Sequence, residues 1–282
     1  MKNPRIAVLV SSDPSDLYFA NQIVRHATVV GVLVEQQRRI AGAINRFGGV
    51  FRNLRSPLSL HRKLYAVGTR RYYARKAKKI ARQGFGKEGY GLFRPENCQT
   101  IFVPGKETPN RPVYVKWIKD LQPDVIAVCG TSLLREPVLR ITPYILNLHS
   151  GLSQKYRGTW TTLWPVYNQE PEFVGYTVHF VTPGVDDGDI INQGRPVICE
   201  DDNHETLYVK VVKLGTTAVL NAIDDIRSNS IRRYPLRPKG RLYQRSMLTP
   251  AIIKRTWQKV DAGLIRDYVK CPKSVSLIGN LE

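Results

Sequence analysis

The 282 residues, 42% hydrophobic and 23% charged, suit one large domain or a main domain with a small appendage and exclude global disorder. The formal net charge of +20 is concentrated: residues 36–94 hold sixteen basic residues against the single acid Glu88, or +15. No stretch approaches the roughly 20 apolar residues that a membrane span needs. The four cysteines, Cys98, Cys129, Cys199 and Cys271, form no CxxC pair, so they indicate neither a zinc site nor a disulfide framework.

In chain order, residues 5–11 (RIAVLVS) read as a buried strand rich in Val and Ile. The start MKNPRIAVLVSS lacks the long apolar region and small-residue cleavage pattern of a signal peptide, so a soluble cytosolic protein is expected. Ser12 to Ser15 offer N-caps for a helix through LYFANQIVRHA, and VVGVLV at 29–34 is a second strand. Strand, helix, strand in this order predicts a parallel sheet. A basic amphipathic helix follows, with Leu60, Leu64, Val67, Tyr73 or Ala74, Ala77 and Ile80 at helical spacing. Strands are expected at 99–103, 124–129, 144–148 and 173–181, with helices over 113–122 and 133–139 between them. After the turn TPGVDDGD, IINQGRPVICE reads as a hairpin partner and residues 204–226 as a long amphipathic helix. From Ser228 the chain reads as a loop until the Thr249–Pro250 helix start.

The strand at 144–148 ends in NLH. Asn147 and His149 stand at i and i+2, so in extended chain they face one side. Open α/β sheets bind ligands at the carboxyl ends of their strands. The loop after Val181, with Asp186 and Asp187, is expected at the same crevice. An amide that donates to an oxyanion, an imidazole that moves a proton and a carboxylate that orients it are acyl-transfer equipment. Ser150 and Ser153 lack a G-x-S-x-G context, so the nucleophile is expected to come from the substrate.

The stretches NLHSGLSQKYRG and GYTVHFVTPGVDDGDIINQ resemble the folate-dependent formyltransferases, a family that includes glycinamide ribonucleotide, methionyl-tRNA and sugar N-formyltransferases. The resemblance is specific over about 110–225, weaker over the first 35 residues, and reaches neither the basic segment nor the last fifty residues. It implies an α/β, Rossmann-like formyltransferase core, a mostly parallel twisted sheet flanked by helices; the basic helical segment at about 36–94, outside the resemblance, reads as an insertion in it. A formyltransferase catalytic domain is thus expected over 1–227, with a small C-terminal extension over 228–282. The resemblance implies 10-formyltetrahydrofolate as donor and no metal, with Asn147, His149 and Asp186 as the catalytic triad. Asn147 and His149 would hold the tetrahedral oxyanion, and Asp186 would tune His149. The donor pocket would be lined, largely through main chain, by Cys129, Gly130, Thr131, Ser132, Leu133 and Leu134 and by Thr182, Val185 and Asp187. The side chain of Asp187 otherwise reads as a turn residue, like that of Asp189.

Departures from the family pattern bear on the acceptor. Leu152–Ser153 stands where the family has Leu-Pro, and SSDPSD replaces a Gly-rich phosphate-cradling turn. The roughly fifty residues after Arg232 are short for the C-terminal domain of a methionyl-tRNA formyltransferase. A primary amine on an amino sugar, nucleotide- or lipid-linked, is therefore expected, with Tyr156, Arg157, Trp160 and His179 at the acceptor site. Trp160 and Trp164, four residues apart, would share a helix face, where core packing is the plainer reading. His26, His61 and His204 carry no signal. The rival readings are a formyltransferase for aminoacyl-tRNA or another polyanion-linked amine, and a non-catalytic binding module on the same fold. Phe47, Phe51, Tyr65, Tyr72 and Tyr73 interleave with the charges of 36–94, which suits an anionic membrane surface or a nucleic acid. A homodimer is compatible with the resemblance.

Overall fold

The computed structural model describes residues 3–36, 57–104 and 107–279, and their side chains except those of 57–63. The expectations for Arg38, Arg39, Arg46, Phe47, Phe51, Arg52, Arg55 and the side chains of Leu60, His61, Arg62 and Lys63 fall outside that description.

The first strand, β1 (Ile6–Ser11), is buried along its whole length. It is followed by α1 (Pro14–His26), β2 (Val29–Glu35), α2 (Pro57–Phe85) and β3 (Gln99–Val103). Next come α3 (Pro112–Asp120), β4 (Val125–Cys129), α4 (Glu136–Leu139) and β5 (Tyr144–His149). The chain continues through β6 (Tyr156–Gly158), α5 (Leu163–Tyr167), β7 (Tyr176–Phe180), β8 (Ile190–Gly194) and α6 (His204–Arg227). It closes with β9 (Arg241–Tyr243), α7 (Pro250–Asp261) and α8 (Leu264–Lys270).

Seven strands form one sheet in the order β3-β2-β1-β4-β5-β7-β8. The first five are mutually parallel, and β7 is antiparallel to both β5 and β8. Successive residues of β5 point to opposite faces. Leu146 and Leu148 join the core under α1 and α6, while Ile145 joins the core under α3. Asn147 and His149 therefore project on the α3 side. Opposite Asn147 in register stands His179, and opposite His149 stands Thr177.

Two elements escape the sequence pattern. β6 and β9 form a separate two-stranded parallel ribbon that joins the loop after β5 to the chain beyond residue 228. The aromatic cluster of Tyr156, Trp164 and Tyr243 fixes it, with Leu248, Ile252 and Ile253 of the C-terminal segment packed against it. The expected loop after Ser228 is thus bonded to the body. At α6, Asn203 accepts from the N–H groups of Glu205 and Thr206, and Thr206 accepts from Asn203 N, a reciprocal cap. Thr249 caps α7 one way, accepting from Ile252 N, as its Thr-Pro start predicts.

The strand order reverses between β1 and β4, and the first turn of α1 meets the end of β4 there. Asp16, buried, accepts from Ser11 Oγ at 2.6 Å, Ser15 Oγ at 2.9 Å and Cys129 Sγ at 3.5 Å. Gly130, at φ +72°, passes so close that a Cβ would lie 1.9 Å from the Asp16 carboxylate. Burial pushes the Asp16 carboxyl up from its ordinary value to about 7, against the lowering effect of its hydroxyl and thiol donors. The folded state therefore holds a proton that the unfolded chain releases between pH 3.8 and about 7, and stability falls as pH rises through that window. Asp16→Asn is expected to flatten this dependence. Urea midpoints at pH 5 and pH 8, compared between variant and wild type, check it.

Candidate active site

Asn147, His149 and Asp186 come together, though not by the route expected. Because β7 runs antiparallel, Phe180 pairs with Leu146 rather than with the end of β5. The loop after β7 thus starts three residues short of His149 and folds back across the sheet face to bring Asp186 over it. It is a crossing loop on the α3 side, not a second loop at the carboxyl edge of the parallel strands. Asp186 takes φ +46°, an uncommon conformation for a residue with a side chain. Gly188, two residues on, has its Cα pressed so near Phe180 that a Cβ would lie 1.9 Å from that carbonyl oxygen. This explains the glycine that follows Asp187 in the turn.

Asp186 Oδ2 accepts the Gly158 N–H at 2.8 Å and lies 3.4 Å from His149 Nδ1. Its Oδ1 lies 3.5 Å from both Asn147 Nδ2 and His179 Nε2. His149 Nε2 is 2.8 Å from the Tyr156 carbonyl oxygen, which can only accept, so Nε2 carries a proton. Nδ1, facing Asp186, is then the nitrogen whose proton comes and goes. The same reasoning protonates His179 on Nδ1, which donates to the Phe180 carbonyl at 2.8 Å. His179 Nε2 is left to accept from Asn147 Nδ2 at 3.0 Å, which fixes the amide's orientation. His149 and His179 are both buried.

Burial lowers the pKa of His149, and the charges of His179 and Arg157 push the same way, against the opposing pull of Asp186 and the Tyr156 carbonyl. The imidazole is neutral at pH 7. Burial alone would raise the Asp186 carboxyl. The two imidazoles facing it, His149 foremost, and the Gly158 N–H outweigh it and hold Asp186 well below the usual carboxylate range. A neutral imidazole against a fixed carboxylate is a base whose cation has a partner waiting.

Two of these partners are main-chain groups of β6 that no sequence pattern marks. Gly158 stands at φ +92°, and a Cβ there would lie 2.2 Å from the Tyr243 carbonyl oxygen. Gly158→Ala is therefore expected to cost about 1–3 kcal/mol, read from the urea midpoint. It should also lower kcat, because the displaced N–H is the one that holds Asp186.

The expected acceptor residues divide. Tyr156, 2% exposed, stacks on Tyr243 and bonds Glu170 and Asn168 through its hydroxyl. Its ring is core, and it reaches the site only through its carbonyl. His179 lies beneath Asn147 and Asp186 rather than beside an open acceptor space. Trp160 precedes α5 at φ +63° and is 48% exposed, whereas Trp164 is buried in the β6–β9 cluster. The two share no helix face. Arg157 donates to the Gly240 carbonyl at 2.9 Å and the Val185 carbonyl at 3.2 Å, tying β6 to the chain before β9 and to the crossing loop.

Of the expected donor-pocket residues, Cys129 and Leu134 are buried and can offer only main-chain groups. Leu133 and Val185 are exposed on their loops. Thr131 Oγ1 donates to the Ser132 carbonyl at 3.2 Å, and Ser132 N donates to Glu35 Oε2 at 2.8 Å, so the end of β2 braces the loop after β4. Thr182 and Lys239 both bond the Asp187 carboxylate, which makes it the clasp of the crossing loop. Lys239 and Gly240, in the segment read as a loop, thus buttress the site unannounced by any motif. Ser153, in place of the family proline, donates its N–H to Thr177 Oγ1 at 3.1 Å, a bond that proline cannot make.

The Formyl transferase family model matches residues 76–223, just over half of the chain. A methionyl-tRNA formyltransferase of Caldanaerobacter subterraneus subsp. tengcongensis is 31% identical over 147 residues, covering 51% of this chain and 44% of that protein. That of Phocaeicola vulgatus is 34% identical over 130 residues, covering 44% of this chain and 39% of its own. The chain thus matches less than half the length of these relatives. Among solved structures, a 4-N formyltransferase from Francisella tularensis superposes with a TM-score of 0.54 at 17% identity, over 92% of this chain and 88% of that one. Glycinamide ribonucleotide transformylase 1 from Symbiobacterium toebii gives 0.52 at 20% identity, over 83% and 95%. These likenesses show a shared fold. The motifs around Asn147, His149 and Asp186 lie inside the matched stretch, and the chain belongs to the formyl transferase family.

Proposed function

We propose that this protein transfers the formyl group of 10-formyltetrahydrofolate to the primary amine of an amino sugar. The observation that carries the reading is the convergence of the oriented Asn147 amide, the neutral His149 imidazole and the ionised Asp186 on one face of β5. The donor loops fit a flat, partly apolar ring: Leu133 and Val185 are exposed on them. In the reaction the acceptor nitrogen attacks the formyl carbon and a C–N bond forms. The carbonyl electron pair moves onto oxygen, where the Asn147 N–H stabilises it. The ammonium proton passes to His149 Nδ1, and the resulting imidazolium is paired with Asp186. As the oxyanion collapses, the bond from the formyl carbon to N10 breaks, and the proton goes to that departing nitrogen.

For the acceptor, exposed Trp160 beside the site offers a face on which a sugar ring can stack. The SSDPSD turn before and into α1, in place of a glycine-rich phosphate cradle, speaks against glycinamide ribonucleotide. A charged tRNA is the second reading, favoured by the methionyl-tRNA formyltransferase relatives. The completeness of the triad speaks against a binding module without catalysis. The test is tetrahydrofolate release from 10-formyltetrahydrofolate with nucleotide-linked amino sugars, glycinamide ribonucleotide, charged initiator tRNA or no acceptor. Release that depends on an amino sugar supports the reading. Release with tRNA alone replaces the acceptor, and acceptor-independent release makes the protein a hydrolase. The amine must be neutral to attack, so the rate rises with pH toward the amine's pKa.

A further inference from the structure

The helix α2 has 29 residues, about 43 Å at 1.5 Å per residue. Its inner face is committed to the body. Tyr73 stacks on Trp257 of α7 with ring centroids 6.0 Å apart, and Lys76 Nζ stands 3.5 Å above the same indole. Further along, Ile80, Ala81 and Phe85 close on Tyr208, Val209 and Val212 of α6. The outer face is of another kind. Leu64, Val67, Arg71, Arg75, Lys78 and Arg82 follow one another at spacings of three and four, so they line one stripe. Leu64 is 60% exposed, Val67 48% and Tyr72, at the edge of the stripe, 63%. From Leu64 to Arg82 there are seven basic residues and no acid.

We propose that this outer face of α2 docks the protein on an anionic lipid bilayer, with the helix lying in the plane of the interface. The two halves of the stripe ask for different things at once. Arg71, Arg75, Lys78 and Arg82 call for negative charge, and Leu64, Val67 and Tyr72 call for removal from water. A bilayer rich in anionic lipid supplies both, headgroups to the cations and acyl-chain boundary to the apolar end. A nucleic acid would satisfy the cations but leave Leu64 and Val67 in water. A merely solvated face would mix charges of both signs and carry no run of exposed large apolar residues. Among the described residues no helix is long and apolar enough to cross a membrane, so α2 lies on the surface. This contact is separate from the formyl-transfer chemistry and stands or falls without it.

The experiment is co-sedimentation of the full chain with vesicles of phosphatidylcholine alone and of equal parts phosphatidylcholine and phosphatidylglycerol. Binding is expected to the mixed vesicles and not to the neutral ones. A charge-reversed variant, Arg71→Glu with Arg75→Glu and Lys78→Glu, should lose binding about tenfold or more. So should an apolar variant, Leu64→Ser with Val67→Ser and Tyr72→Ser, whose charge is untouched. All six positions are exposed, so thermal melting should stay near that of wild type in both. In the wild type, rising salt should weaken vesicle binding without abolishing it, which tests the apolar share with no substitution at all. Failure of the wild type to bind mixed vesicles overturns the proposal. So does binding that ignores the apolar variant, vanishes with salt and is matched by duplex RNA, which would make α2 a nucleic-acid surface.

Discussion

His149→Ala is expected to lower kcat for formyl transfer by roughly 10²–10⁴-fold while leaving the protein folded. In the proposed mechanism the imidazole takes the amine proton and delivers it onward. Its Nε2–H is held by the Tyr156 carbonyl at 2.8 Å, so the exchangeable position is Nδ1, and Nδ1 faces a carboxylate that stabilises the cation. Removing the ring leaves Asp186 with the Gly158 N–H, so the loss falls on chemistry more than on stability. With the donor held by the loops after β4 and β7, as proposed, the KM for the folate should move little. The wild-type rate should fall on the acid side as His149 protonates, below the ordinary histidine range because burial lowers its pKa. That acid limb should disappear from the residual activity of the variant. An equal rise in folate Kd and fall in kcat would instead make His149 a binding residue.

Asp186→Asn is expected to cost roughly 10²–10³-fold in kcat, with donor affinity nearly unchanged. A carboxamide can keep the Gly158 N–H bond through its oxygen, so the crossing loop should stay in place. What it loses is charge. The imidazolium formed on Nδ1 would then sit buried without a counter-ion, and the intermediate that needs it would rise in energy. The substituted NH₂ would also compete with Asn147 Nδ2, itself a donor 3.5 Å from Oδ1. Because the carboxylate favours the protonated ring, its removal should drop the His149 pKa further. The acid limb of the rate profile should therefore move to lower pH in Asp186→Asn. A shift to higher pH would contradict the pairing, and NMR titration of the His149 ring gives the same sign independently.

Much of this architecture could be read from residue patterns, for physical reasons. β1, β2 and β4 are short runs rich in Val, Ile and Leu because both faces of the sheet are covered there, and β1 and β4 are buried along their whole length. The long α6 shows an apolar stripe and a capping box at Asn203 and Thr206. The spacing of Asn147 and His149 worked because β5 stays extended through His149. What stayed hidden depends on distant pairing. β6 and β9 are three-residue strands with arginine and glycine in them, and only their mutual register and the Tyr156–Tyr243 stack make them strands. The main-chain groups of Tyr156 and Gly158 that hold His149 and Asp186 leave no mark on residue type. Helix α8 (Leu264–Lys270) is only seven residues long and gave no pattern. The position of the Asp186 loop depended on β7 running antiparallel, which alternation within the strand does not report. Trp160 broke the helical spacing because its positive φ puts it before α5, not on it.

The most direct measurement is transfer of a labelled formyl group from 10-formyltetrahydrofolate to an amino-sugar amine, followed in single turnover for the wild type and for Asn147→Ala. The account predicts label on the acceptor nitrogen with wild type, and a chemical step slowed about 10²–10³-fold in the variant at unchanged donor Kd. Donor binding without transfer to any amine by the wild type, or an Asn147→Ala variant as fast as wild type, would contradict it.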